Sequence, residues 1–330
     1  MKQYDYITLS KALGIILVVV GHFTSSVYVP SYYTGMKNLI FSFHMPLFMA
    51  LSGFLFQMSL NNKPDKISLF PFLKKKFLRL MVPYFFISFA IAALNFVIGT
   101  FMPVKRPVDW QYIKEIFYTN VGGSAVFLWF MYTLFMIFVI SAICMRFKKG
   151  FAILGVLSIA LYFIPLPEEF YLLFVHSFII YFWGGMALFL LMERMKSPIS
   201  LLHIVASALI LTVAFYFRGW FSTDYIEQLL NLVCGFAGSY LIVSVSYWLT
   251  EREDNSTLML LGKYSAYIYL LHMIGIYAVR VVFEKIGLFS PFTYGVALVA
   301  AVVAGLVIPV LLTRFVIYKS KSLTFLMGGK

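Results

Sequence analysis

Long apolar runs, separated by short polar connections, fill most of this chain. A helix that crosses a bilayer needs about 20 apolar residues, and most of these runs reach that length. The pattern predicts an all-α integral membrane protein, a bundle of about ten transmembrane helices in a single polytopic domain over residues 1–330. The fifth and seventh predicted spans are short and are the least secure. The ten spans are 6–27, 36–58, 80–101, 125–145, 151–165, 170–192, 201–217, 227–249, 259–282 and 292–316.

Composition and charge agree with a membrane protein. Hydrophobic residues make up 62% of the sequence and charged residues only 12%, which leaves too little polar surface for a soluble domain. With the N- and C-termini in the cytoplasm, the ten spans place 19 Lys and Arg residues inside and 7 outside. That bias follows the positive-inside rule. The net charge of +13 is therefore mostly a matter of topology, and nucleic acid is not predicted as a partner.

The first span contains two ionisable residues, Lys11 and His22. Such residues are costly at membrane depth and are candidates for a functional site. Their separation of eleven residues brings both side chains to nearly the same helix face, with an axial offset of about 16 Å. A lysine with a permanent positive charge at one end of this face and an imidazole at the other are suited to a long substrate that carries phosphate at one end.

Three histidines fall at similar depths in different spans: His22, His44 and His272. They are candidates to line one cavity, although the sequence does not establish that they meet. The carboxylates lie almost entirely in loops or at helix ends, so neither a paired-carboxylate mechanism nor an intramembrane acid for ion-coupled transport is predicted. No ligand cluster predicts a metal site.

A basic run, Lys74 to Arg79, opens the third predicted span at the inner surface. One interpretation is an anchor that binds anionic membrane lipid. The other is a cytoplasmic entrance that collects phosphates, with Arg79 as a rigid donor. Both roles are compatible with each other.

Five motifs, in order along nearly the whole chain, resemble the integral-membrane acyltransferase family three. Within that family they are similar to the fucose-4-O-acetylase-like branch. The motifs are Lys11-x10-His22; Phe41-Ser-Phe-His44-Met-Pro46-Leu-Phe48 with Ser52-Gly53-Phe54-Leu55; Lys76-x2-Arg79-Leu80-x2-Pro83-Tyr84; Leu128-Trp129-Phe130-Met-Tyr132; and Leu261-Gly262-x2-Ser265-x3-Tyr269-Leu270-Leu271-His272.

The chain departs from that resemblance at two positions. The family often has Arg where Lys11 stands, and Lys lacks the bidentate fork of a guanidinium. Several members also have an acid where this chain has Thr8. Both differences concern how the donor is bound, not the general class.

The resemblance implies an O-acyltransferase of the bacterial inner membrane. Such an enzyme moves an acetyl group from cytoplasmic acetyl-CoA, without a metal, to a hydroxyl of an exported or cell-surface polysaccharide or its lipid-linked precursor. His22 is expected to be the general base, and His44 is expected either to orient His22 or to bind substrate. Membrane lipid and other polysaccharide-export proteins are the remaining expected partners.

The other site residues expected from the resemblance divide into two groups. Lys11, Lys76 and Arg79 are expected to bind the phosphates of the acyl-CoA. The substrate-binding group contains two aromatic residues of the fourth span and two residues of the ninth. These are Trp129, Tyr132, Tyr269 and His272.

Two alternatives remain open. A non-enzymatic transporter or flippase for polysaccharides or lipid precursors explains ten spans and a basic entrance equally well, and acetyl-CoA binding distinguishes it from the enzyme. A scaffolding subunit of an export complex is the other alternative, and it should tolerate substitution at both Lys11 and His22.

Overall fold

The computed structural model describes residues 5–25, 27–62, 68–101, 106–118, 126–164, 166–194, 199–220, 224–250 and 255–329. Within those ranges the chain is helical and contains no strand, as the apolar runs predict. The described ranges contain twelve α-helices and three short 3₁₀ turns. The helices are Asp5–His22 (α1), Ser31–Asn61 (α2), Leu69–Phe101 (α3), Trp110–Tyr118 (α4), Trp129–Cys144 (α5), Gly150–Tyr162 (α6), Leu172–Arg194 (α7), Leu201–Arg218 (α8), Asp224–Thr250 (α9), Ser256–Lys285 (α10), Tyr294–Phe315 (α11) and Lys321–Leu326 (α12).

Eight helices in the described part of the chain are long and apolar enough to cross a membrane, namely α1, α2, α3, α7, α8, α9, α10 and α11. The fourth and fifth predicted spans correspond to α5 and α6, which are apolar but shorter. The seventh, expected to be insecure, qualifies as α8 with 18 residues. A count of ten spans and the cytoplasmic side of both termini stay predictions.

Several helix ends differ from the sequence-based boundaries. α3 begins at Leu69 rather than near residue 80, so the basic run from Lys74 to Arg79 lies inside the helix and not at its start. α2 begins at Ser31 and α1 ends at His22. The apolar pattern missed the start of α3, because lysine and arginine lower the local hydropathy. Both residue types are nevertheless good helix formers, so the helix continues through them. The short helices α4 and α12 have no long apolar run and were not predicted.

The helices form two compact units, whose boundaries fall within α2 and α7. The first unit comprises Met1–Ser52 and Leu188–Val316, and the second comprises Gly53–Ala187 and Ile317–Lys330. A single domain over 1–330 stays a prediction.

In the first unit, α1 packs against α9, α10 and α11. Its fully buried residues Ile15, Val18 and Val19 belong to one apolar cluster with residues of α10 and α11, such as Ile268 and Ala301. Packing against this cluster fixes the rotation of α1 about its axis. It therefore also fixes the direction in which the last residue of the helix, His22, points.

In the second unit, α3 packs against α5. Phenylalanines from four helices form a cluster there, with ring centroids between 5.2 and 6.0 Å apart. The members of the cluster are Phe56, Phe72, Phe138 and Phe182.

Candidate functional site

Three histidine rings meet in the first unit. The ring centroids of His22 and His272 are 5.0 Å apart, and those of His22 and His44 are 6.4 Å apart. Both pairs meet edge to face, at 83° and 78°. α1, α2 and α10 thus each contribute one imidazole, and His22 is the ring that contacts both others. The structure brings together what the sequence placed only at a common depth.

Each of these rings is hydrogen-bonded through Nδ1 to a carbonyl one turn earlier in its own helix. His22 Nδ1 lies 2.8 Å from the carbonyl oxygen of Val18, and His44 Nδ1 lies 3.0 Å from that of Ile40. His272 Nδ1 lies 2.8 Å from the carbonyl oxygen of Tyr269. A carbonyl only accepts, so Nδ1 donates its proton, and in the neutral ring the lone pair is on Nε2.

Burial distinguishes His22 from its neighbours. His44 is 5% exposed and His272 is fully buried, whereas His22 is only partly buried at the last residue of α1. Among the three, His22 is therefore the most exposed. The buried pair holds it from two sides.

No carboxylate among the described residues forms an ion pair with the imidazole of His22. The group that fixes its tautomer is the Val18 carbonyl. A backbone carbonyl thus holds this ring through Nδ1, as an Asp holds the histidine of a serine-protease triad. The carbonyl dipole still stabilises the ring when Nε2 receives a proton.

Phe41 and Lys37 extend the histidine cluster along α2. Phe41 begins the second sequence motif, but neither residue was predicted to belong to the site. The Phe41 ring centroid is 4.8 Å from that of His44 and 5.7 Å from that of His22. The Lys37 ammonium lies over the same ring, 5.2 Å from its centroid. Spacings of four and three residues put all three α2 side chains on one face, which is a signal that the sequence did contain.

Gly21 makes room for Phe41. A Cβ at residue 21 would lie 2.5 Å from Cε1 of the Phe41 ring. Only glycine therefore lets that ring lie against the end of α1, directly beside His22.

Lys11 is partly buried on α1, with a rise of about 16 Å to His22 along the helix. Lys11 and His22 thus lie on one continuous helix. Its role in donor binding stays a prediction.

The second unit holds Lys76 and Arg79 on α3, and the two side chains differ. The Lys76 ammonium lies 3.6 Å from the ring centroid of Phe138 and 5.3 Å from that of Phe72, where it makes cation–π contacts with the phenylalanine cluster. Arg79 is exposed. Phosphate binding by either residue stays a prediction.

Trp129 and Tyr132 also lie in the second unit, in an aromatic cluster of their own. Trp129 stacks on Phe174 with ring centroids 4.4 Å apart. The hydroxyl of Tyr132 donates to the Phe117 carbonyl, and its ring lies 4.7 Å from that of Tyr171. These contacts give both residues a packing function, while substrate binding stays a prediction.

Tyr269 lies one turn before His272 on α10, and its ring is stacked on that imidazole at 6.3 Å. It also supplies the carbonyl that accepts from His272 Nδ1. Tyr269 therefore orients His272, and its predicted contact with substrate is untested.

Nowhere in the described ranges do three or more His, Cys, Asp or Glu side chains form a group that could hold a metal ion. The prediction of a reaction without a metal is untested.

Comparison with known protein families shows to which family the chain belongs. A family model described as an acyltransferase domain matches residues 4–314, which is nearly its whole length. This chain belongs to that acyltransferase family. The comparison also found no match among curated proteins or among solved structures.

Family membership confirms the prediction of an enzyme that transfers an acyl group. The acyltransferase is also a multi-pass membrane protein, as its apolar helices show. The fucose-4-O-acetylase-like branch is not confirmed. All three clustered histidines of the acyltransferase lie inside the matched residues.

Proposed function

We propose that this acyltransferase is an O-acetyltransferase of the bacterial inner membrane. It takes acetyl from cytoplasmic acetyl-CoA and transfers it to a hydroxyl of an exported or cell-surface polysaccharide, or of its lipid-linked precursor. The observation that supports this proposal best is the geometry of His22. Its ring is partly exposed, its tautomer leaves Nε2 as the base, and two buried histidines hold it.

The proposed reaction is a direct transfer. His22 Nε2 accepts the proton of the acceptor hydroxyl while that oxygen attacks the thioester carbonyl. The tetrahedral intermediate then collapses, the carbon–sulfur bond breaks, and the departing thiolate takes the proton from the imidazolium. The products are an acetyl ester and free CoA, and the ring returns to its starting state.

Donor binding in this proposal starts with Lys11. The extended pantetheine arm of CoA is comparable in length with the axial distance of about 16 Å between Lys11 and His22 on α1. Phosphate at the Lys11 end would put the thioester near the imidazole. Lys76 and Arg79, in the second unit, are proposed as further phosphate ligands because of their charge.

Trp129 and Tyr132 remain proposed contacts for sugar or pantetheine, and Tyr269 and His272 remain proposed contacts for substrate. Membrane lipid and polysaccharide-export proteins remain proposed partners. Membership of an acyltransferase family favours this function over a transporter or a scaffolding subunit.

The decisive experiment compares two histidine variants of the purified protein. His22→Ala is expected to fold and lose transfer of labelled acetyl from acetyl-CoA to surface glycan, by about 10²-fold or more for loss of a general base. The matched control is His203→Ala, which removes an imidazole that pairs with Ser200 at the start of α8. Transfer at the normal rate by the His22 variant would contradict the proposal.

A further inference from the structure

Lys37 is a half-buried cation at the edge of the histidine cluster, and the proposed reaction gives it no role. It lies on α2, one turn before Phe41 and two turns before His44. Its ammonium rests over the Phe41 ring, and that ring contacts both His22 and His44. One aromatic side chain therefore separates this charge from the proposed catalytic base.

The charge of Lys37 lacks a carboxylate partner in the part of the chain that the structure describes. Two arginines of the same unit provide a comparison. Arg280 pairs with Glu284 at 2.9 Å, and Arg218 pairs with Glu227 at 3.6 Å. A partly desolvated cation is costly unless a counter-charge or strong hydrogen bonds compensate it. The contact with the Phe41 ring supplies only part of that compensation.

The surroundings of Lys37 are suited to an anionic ligand. The histidine rings and Phe41 bring no negative charge to this end of the unit. An ammonium that is partly shielded from water forms stronger charge-assisted hydrogen bonds than an exposed one. Phe41, 41% exposed, offers an apolar face beside the charge, as a sugar ring requires.

We propose that Lys37 binds a negatively charged group of the acceptor, so that the enzyme selects an anionic glycan. The group is a carboxylate or a phosphate on the sugar that is acetylated or on its neighbour. Phe41 contacts the face of that sugar, and the hydroxyl to be acetylated then lies at His22. This inference rests on the proposed function and names the class of its acceptor.

The test uses glycan isolated from cells that lack this protein, which therefore carries no acetyl groups from it. One portion stays native, a second has its carboxylates reduced to alcohols, and a third has its phosphates removed. Purified protein and labelled acetyl-CoA then give kcat/KM for each portion. A charge-assisted hydrogen bond predicts that neutralising the relevant group lowers kcat/KM by about 10- to 100-fold. The portion for which kcat/KM falls shows whether the group bound by Lys37 is a carboxylate or a phosphate.

Three variants assign this preference to Lys37. Lys37→Gln is expected to bring the ratio of native to neutralised glycan close to one, and Lys37→Arg is expected to keep most of it. The matched control is Lys285→Gln, which removes an exposed charge from the last turn of α10 and should retain the ratio.

The possible outcomes separate the inference from the function on which it rests. Equal transfer to native and neutralised glycans, abolished by His22→Ala, would overturn the inference and leave the proposed function intact. Equal losses on all glycans in Lys37→Gln would also overturn it, because they would assign Lys37 to the reaction or to packing. No transfer to any glycan would overturn the proposed function itself.

Discussion

Gly262 of α10 lies directly against the backbone carbonyl of Thr8 on α1. A Cβ at residue 262 would overlap that oxygen, and it would also lie 2.8 Å from Cγ2 of Thr8. This contact lets α1 and α10 approach closely enough for His22 and His272 to meet two turns and more beyond it. It also gives a structural role to Thr8.

Gly262→Ala is therefore expected to destabilise the protein. The new methyl group meets backbone that cannot move without separating α1 from α10, and such overpacking costs about 1–3 kcal/mol. Thermal unfolding of the purified variant measures the loss. Gly295→Ala in α11 is the matched control, because nothing lies within 4 Å of its Cβ. Equal unfolding temperatures for both variants would contradict the contact.

Gly21→Ala should lower activity more than stability. Its Cβ would displace the Phe41 ring, whose side chain is partly exposed and has space to move outward. The displaced ring no longer lies against His22, so acetyl transfer falls while unfolding changes little. Gly35→Ala in α2 supplies the comparison, because nothing lies within 4 Å of its Cβ. Full activity in Gly21→Ala would show that the Phe41 position does not matter.

The tautomers of the three histidines are directly measurable. Because each Nδ1 donates to a carbonyl of its own helix, nitrogen NMR on ¹⁵N-histidine-labelled protein should show neutral rings protonated at Nδ1. His22→Ala should remove one such signal and shift those of its two neighbours. A neutral His22 protonated at Nε2 would remove that atom as the base.

Lys76→Met tests the cation–π contacts of the second unit. Loss of the ammonium over Phe138 is expected to cost about 0.5–2 kcal/mol of unfolding free energy. The adjacent Lys75 is exposed, so Lys75→Met should leave the unfolding free energy unchanged. The same variants, compared by their KM for acetyl-CoA, show whether Lys76 also binds the donor. A weaker donor affinity without a loss of stability would assign Lys76 to phosphate binding alone.

The sequence predicted the helices far better than their contacts. Apolar runs specify which segments become helices, since a bilayer requires backbone hydrogen bonds within each segment. They did not place the start of α3, where charged residues continue the helix beyond the apolar run. They also gave no sign that α5 is shorter than α8.

For the site, the sequence predicted the depth of the histidines along their helices but not the direction in which their side chains point. His22, His44 and His272 were placed at one level, yet their meeting depends on how α1, α2 and α10 are rotated about their axes. That rotation is set by contacts such as Gly262 on Thr8, which involve residues far apart in the sequence. Lys37 was counted only as a topological charge, although its spacing from Phe41 and His44 already placed it on their face.

The hydrogen bond from His22 to Val18 commits one edge of the imidazole to the helix itself. Rotating the ring to present its other nitrogen would break that bond, so in the proposed reaction a single nitrogen takes up the proton and gives it back. In the proposed direct transfer, the alcohol and the thioester are bound together beside that nitrogen. Initial-rate kinetics with both reactants varied should then show a ternary complex, with intersecting rather than parallel reciprocal plots.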